Sequence, residues 1–153
     1  MEKSTKRTLN ELLVNMFHNI MDMEAEAVIT EEFKDISNND MHIIEAIGNA
    51  EPRRMSFIAK SLNITVGTLT TNMNNLADKG YIVRERSKSD KRVVLVSLTE
   101  KGRKAFFHHR DFHRRMIYSI VRDLEEEEIQ VLIRCLHNLT MFFDEQREKK
   151  TDE

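Results

Sequence analysis

The stretch Thr65-Val66-Gly67-Thr68-Leu69-Thr70-Thr71-Asn72-Met73-Asn74-Asn75-Leu76-Ala77-Asp78-Lys79, followed at once by Gly80, decides how the rest of the chain is read. Val66, Leu69, Met73 and Leu76 recur at helical spacing and make one apolar stripe. Thr65 is a good N-cap, since its hydroxyl accepts from the free amides of the first turn. Gly80 supplies the left-handed residue that ends the helix. The other face carries almost nothing but Thr, Asn and Gly. A helix that needs only solvation favours Glu, Lys, Gln and Ala, which form helices better. Thr and Asn cost helix stability there, but they donate to and accept from base edges and phosphates. The pattern predicts a helix that enters the DNA major groove. The competing reading is an ordinary exposed helix face, and the flanking sequence decides between the two.

Upstream, Pro52 punctuates a turn, Ser56 to Leu62 reads as a short helix, and Asn63 is its left-handed stop. Only two residues then separate Leu62 from Thr65, which is a helix-turn-helix pattern. Downstream, Tyr81 to Arg86 and Val93 to Leu98 are β-type runs joined by the polar, basic tip Ser87-Lys88-Ser89-Asp90-Lys91-Arg92, and together they make a wing. Further out, about Thr8 to Thr30 reads as a long helix. Its apolar face (Leu12, Leu13, Met16, Phe17, Ile20, Met21, Met23) is wide enough for a partner subunit as well as its own core. Asn38, Asn39 and Asp40 offer N-caps to a second helix that Gly48 closes. Thr99 caps a fifth helix running to about Arg122. Leu124 with Glu125 to Glu128 begins a sixth, its acidic residues placed where the helix dipole favours them. Residues 145–153 are expected to fray. The fold class is mainly α with a small β-wing.

The chain has 153 residues, enough for one domain with a real core. With 33% charged and 40% hydrophobic residues, a single proline and four glycines, it suits a helical protein and argues against a sheet sandwich. No apolar run approaches membrane-spanning length and no signal-peptide core follows the N-terminus, so a cytoplasmic protein with no membrane role is expected. One cysteine leaves no intramolecular disulfide and no thiolate zinc cluster within a chain. The net charge is only −2, but from Lys79 to Lys104 nine basic residues stand against three acidic ones. A basic segment inside an acidic chain is how a DNA contact surface hides in a neutral total. No phosphate loop, nucleophile motif or framed carboxylate pair points to an enzyme, and nothing calls for a cofactor.

The linked runs Leu76-Ala77-Asp78-Lys79-Gly80-Tyr81-Ile82, Asp90-Lys91-Arg92 and Leu98-Thr99-Glu100-Lys101-Gly102 resemble the MarR family of winged-helix transcription regulators. The likeness covers nearly the whole chain. It implies one domain over residues 1–153, with a winged helix-turn-helix lobe at about 38–98 and flanking dimerisation helices at about 4–30 and 99–148. It also implies an obligate homodimer with the first, fifth and sixth helices interlocked and both lobes on one face of a DNA operator. Within the family, Phe33-Lys34-Asp35-Ile36-Ser37, Met41-His42, Gly67 to Thr71, Asn74-Asn75-Leu76 and Phe112-His113 resemble fatty-acid-synthesis repressors that use acyl-acyl carrier protein as co-repressor.

On the central helix, Thr68, Thr71 and Asn72 are candidates for base edges, since Asn pairs bidentately with adenine and Thr offers its methyl to thymine. Gly67 lets the backbone approach DNA closely, unless it is merely a small surface residue. Ser56, Thr65, Asn75 and Lys79 are placed as phosphate contacts. The resemblance puts Arg92 in the minor groove, where narrow A·T-rich DNA concentrates negative potential. Asp90 is expected to orient Arg92 or Arg86, while Lys88 and Lys91 act as phosphate charges; the alternative is a solvated, salt-bridged hairpin.

His109 and His113 lie one turn apart on the fifth helix, a spacing that can chelate metal. With His108, and with Glu24 and His42 from earlier helices, they make a zinc-sensing site the alternative to no metal at all. Arg110, Arg114 and Arg115 nearby are candidates to dock the acidic surface of a carrier protein. Met16, Phe17, Ile20, Met41, Phe106 and Met116 could line a pocket for a long acyl chain, or simply fill core. Cys135 reads as buried, inert packing on the last helix. A third class of function makes the winged helix a protein-interaction module.

Overall fold

In the computed structural model, which describes residues 3–28, 30 and 32–151, the helical periodicities become α1 (Lys3–Val28), α2 (Asn38–Ile47), α3 (Met55–Ser61), α4 (Val66–Asp78), α5 (Glu100–Val121) and α6 (Glu126–Thr151). Strands β1 (Arg53–Arg54), β2 (Ile82–Arg86) and β3 (Val94–Leu98) form an antiparallel sheet in the order β1-β3-β2. The fold is therefore mainly α with a winged helix-turn-helix, as the periodicities predict. Two compact units are distinguished, Met1–Phe112 and His113–Glu153.

Several boundaries differ from the expectation for physical reasons. The start of α2 is capped by Ser37, not by the Asn38 to Asp40 run. The Ser37 hydroxyl accepts from the Asp40 amide at 3.1 Å and the Asp40 carboxylate accepts from the Ser37 amide at 3.0 Å, a reciprocal capping box. β1 was not legible, because two residues beside a proline carry no alternation; it exists only because Arg53 pairs with Val96 and Arg54 with Leu95. Instead of fraying from residue 145, α6 continues to Thr151. Cys135 is exposed rather than buried.

The core of the first unit collects the apolar face of α2 (Met41, Ile43, Ile44, Ile47), Ile58 and Ala59 of α3, and Leu69, Met73 and Leu76 of α4. Leu69, Met73 and Leu76 are fully buried and anchor α4, whereas Val66, read as part of the same stripe, is 47% exposed because the first turn of the helix projects beyond the core. Thr65 caps α4, accepting from the Thr68 amide at 3.1 Å. Asn63, at φ 54°, and Gly80, at φ 76°, take the left-handed conformations that the turns require.

The wing is tied to α5 at one crossing. The Tyr81 carbonyl accepts from the Thr99 amide at 3.0 Å and from the Thr99 hydroxyl at 3.1 Å, while that hydroxyl accepts from the Gly102 amide at 3.0 Å. The Tyr81 ring is fully buried, and its hydroxyl donates to Asp35 at 2.5 Å. Burial, then the bond to Asp35, pushes the Tyr81 phenol above its ordinary range. The same bond, with help from Lys101, holds the Asp35 carboxyl below its ordinary value. A Cβ at Gly102 would sit 2.0 Å from the Tyr81 carbonyl oxygen, whereas a Cβ at Gly80 meets open space. Gly102→Ala is therefore expected to destabilise the fold by about 3 kcal/mol. Gly80→Ala should cost only about 1 kcal/mol of left-handed strain. Urea melts of the two variants measure the difference, and equal losses would contradict the crossing.

Candidate nucleic-acid interface

The outer face of α4 follows from the anchoring of its inner one. With Leu69, Met73 and Leu76 buried, Gly67, Thr68, Thr71 and Asn75 are exposed and Asn72 is half-buried. The hydroxyls are not equivalent. Thr68 Oγ1 lies 2.9 Å from Thr65 Oγ1, so the two share a hydrogen bond at the helix start. The Thr70 hydroxyl turns back to the Val66 carbonyl at 2.7 Å and is satisfied within the helix.

Beside this face a cleft of about 390 Å³ opens between the helix-turn-helix and the wing, lined by Arg54, Ser56, Val66, Thr70, Arg84 and Arg92 among others. Of the residues singled out from sequence, it brings together Ser56 and Arg92. Arg54 and Arg84 were missed. Arg84 stands on β2 and donates to Asn74 on α4 at 2.7 Å, joining the wing to the helix. Arg54 follows from strand periodicity, in which neighbours point to opposite faces. Arg53 turns inward, where its guanidinium donates to the Ala46 carbonyl at the end of α2 at 3.0 Å, and Arg54 turns to the cleft.

Two of the candidates carry contacts within the lobe. The Lys79 ammonium lies 3.1 Å from the buried Asp40 carboxylate. The Asp90 carboxylate accepts from the Arg92 backbone amide at 2.9 Å and so shapes the hairpin tip, while among the described residues no bond from it to a guanidinium is seen. Arg86, Lys88, Lys91 and Arg92 are exposed along the wing.

The remaining candidates are distributed as follows. Met41 is fully buried and packs in the core. Phe106 packs against that core, Ile20 is half-buried, and Met16 and Phe17 are exposed. Met116 belongs to the second unit. The Arg110 guanidinium stacks 4.9 Å from the centre of the Phe107 ring. In the second unit, Arg114 and Arg115 line a groove with Tyr118. Among the histidines, His108 is directed to the Ala27 carbonyl at 2.7 Å and lies against Phe33, away from the others. His42 Nε2 stands 3.8 Å from the buried Glu24 carboxylate, and its ring meets that of buried His109 edge-on at 5.9 Å. His113 belongs to the second unit.

A profile of the MarR family matches residues 36–94, the span from the end of the α1–α2 connection to β3. The chain is also 41% identical to Streptococcus pneumoniae FabT in a crystal structure of that protein in complex with DNA. That likeness covers 92% of this chain and 98% of that one, with a TM-score of 0.82. The chain belongs to the MarR family. Among curated relatives, the HTH-type transcriptional regulator PchR of Bacillus subtilis (strain 168) is 24% identical over 92% of this chain and 90% of its own. The MepR–DNA complex of S. aureus, 23% identical with a TM-score of 0.67 over 88% of this chain and 97% of that one, shares the fold. This MarR-family chain is thus a transcriptional regulator with a winged helix, and its relatives are regulators rather than enzymes.

Gly67 has room around it. A Cβ there meets only the Thr65 hydroxyl, at 3.7 Å. Gly67→Ala should therefore stabilise α4 by about 0.5–1 kcal/mol, because alanine is the better helix former. It should also weaken DNA binding by about tenfold if the backbone approaches DNA at this point. A thermal melt beside a binding isotherm reads both signs, and a more stable protein with unaltered DNA affinity would exclude Gly67 from the interface.

Proposed function

We propose that the chain is a homodimeric repressor of fatty-acid-synthesis genes, binding a pseudo-palindromic operator, with long-chain acyl-acyl carrier protein as co-repressor. The observation that carries the reading is the 41% identity, along nearly the full length of both chains, to a MarR-fold protein bound to DNA. The sequence phrases from Phe33 to Ser37 and from Gly67 to Thr71, which resemble fatty-acid-synthesis repressors, give it its direction. Thr68, Thr71 and Asn72 meet base edges, Ser56, Thr65 and Asn75 hold phosphates, and Arg92 enters the minor groove. Lys88 and Lys91 add phosphate-directed charge.

Association through the helices outside the lobe is supported by their uncovered apolar faces. Leu12 is 61% exposed and Met21 56% on α1, while Ile133 and Phe142 are each 52% exposed on α6. Rows of large apolar side chains of this kind mark an interface, and a self-complementary one makes a two-fold dimer. Such a dimer places two half-sites about one helical turn apart, roughly 10 base pairs. Arg114 and Arg115 in the second unit, and Arg110 in the first, are the candidate docking residues for the acidic carrier.

Fluorescence anisotropy with a labelled fatty-acid-synthesis promoter at fixed salt tests the reading. The long-chain acylated carrier should tighten binding and the unacylated carrier should not. Arg92→Ala should weaken binding and reduce the salt slope by about one charge. Indifference to the acylated carrier would remove the co-repressor, and an unaltered slope would remove Arg92 from the DNA.

A second reading, zinc sensing, is favoured by one local arrangement. In the first unit the Glu24 and His109 ligand atoms lie within 4.8 Å of one another, His42 Nε2 stands 3.8 Å from the Glu24 carboxylate, and Asn38 donates to Glu24 at 3.4 Å. The carbonyl oxygen of Asn38 is buried without a partner among the described residues. A carboxylate with imidazole nitrogens in reach is zinc-type donor chemistry. Under this reading, equilibrium dialysis finds zinc on the wild-type chain and much less on Glu24→Ala. Operator affinity that ignores zinc would dispose of it.

A further inference from the structure

Lys101, Asp35 and Tyr81 form a charged node that the DNA contacts do not use. The Lys101 ammonium lies 3.0 Å from the Asp35 carboxylate, 3.0 Å from the Lys79 carbonyl at the end of α4, and 4.0 Å from the centre of the Tyr81 ring. The Tyr81 hydroxyl donates to the other oxygen of the same carboxylate. Three parts of the lobe therefore share one node: the α1–α2 connection through Asp35, the C-terminal end of the recognition helix through Lys79, and the first residue of the wing through Tyr81. A cation at a helix C-terminus is also favoured by the helix dipole.

We propose that Asp35, Tyr81 and Lys101 are positioning residues for operator recognition, a polar latch that sets the angle of the recognition helix and wing without touching DNA. The inference rests on the DNA-binding reading above and adds residues to it. The lever arm gives the latch its leverage. The thirteen residues of α4 span about 20 Å. A tilt of about 5° at the latched end moves the Thr65 end by about 1.7 Å, which exceeds the spread of hydrogen-bond lengths. The apolar core fixes which face of α4 is buried, while the latch fixes the end about which the helix pivots.

The test uses the full-length chain and any duplex that the wild type binds specifically, with an unrelated duplex beside it. Tyr81→Phe keeps the buried ring and loses only the hydroxyl, and Lys101→Met keeps the stem over the ring and loses the ammonium with its bonds to Asp35 and to the Lys79 carbonyl. Each variant should retain its helical circular dichroism and lose about tenfold in specific affinity. Affinity for the unrelated duplex and the salt slope should stay as in wild type, since no phosphate contact is lost. The double variant should lose little more than either single one, because both break the same node. If either variant fails to fold, Asp35→Asn, at a half-exposed position, replaces it with the same expected loss. A salt slope reduced by one charge in Lys101→Met would make Lys101 a phosphate contact and overturn the latch. Lower melting temperatures with unaltered specific affinity would also overturn it, by reducing the node to a structural role. A wild type that binds no duplex would remove the DNA-binding reading, and the latch with it.

Discussion

A backbone-on-backbone crossing governs this structure. The first turn of α5 passes so close over the Tyr81 carbonyl that position 102 has no room for a side chain. The helix-turn-helix and the wing are both referred to that crossing: α4 ends just before it, β2 begins at it and β3 ends at it. Thr99 completes the joint by bonding to the carbonyls of both Gly80 and Tyr81. Because each of these bonds is local to the crossing, the wing cannot slide along α5 without losing all of them. The apolar core keeps α4 in place, and the crossing decides where the wing stands beside it.

Most of this architecture was legible because it depends on local rules. The apolar spacing of Leu69, Met73 and Leu76, the Thr65 cap and the left-handed Asn63 and Gly80 each act within a few residues, and the structure has all of them. The failures share a cause of the opposite kind. β1 exists by virtue of a partner strand more than forty residues away. The engagement of Lys79 with Asp40 spans 39 positions, and that of Tyr81 with Asp35 spans 46. No window of sequence contains both members of such pairs. Ser37 was a different miss: the residues after it were equally good caps, and the reciprocal bond with Asp40 chose among them.

The same distinction sorts the basic residues, which sequence could count but not apportion. Of the cations between Lys79 and Lys104, Lys79 and Lys101 are held by Asp40 and Asp35, Lys104 lies 3.6 Å from Glu32, and Arg103 donates to the Leu98 carbonyl. These are engaged within the lobe, three by carboxylates and one by a backbone carbonyl. The exposed wing residues and the arginines around the cleft carry the positive field outward. A local excess of charge is therefore partly internal mortar, and only the remainder bears on an external polyanion.

The alternation at Arg53 and Arg54 has a consequence for strand register. Two adjacent, chemically identical side chains serve opposite faces of a two-residue strand, one closing the end of α2 and the other lining the cleft beside the recognition helix. Their assignment follows from the register that pairs Arg53 with Val96 and Arg54 with Leu95. A slip of β1 by one residue against β3 would turn each to the other face while leaving the composition of the strand untouched. Such a slip would remove the guanidinium from the end of one helix and re-aim a cation beside another, so the pairing of two residues sets the surroundings of both helices.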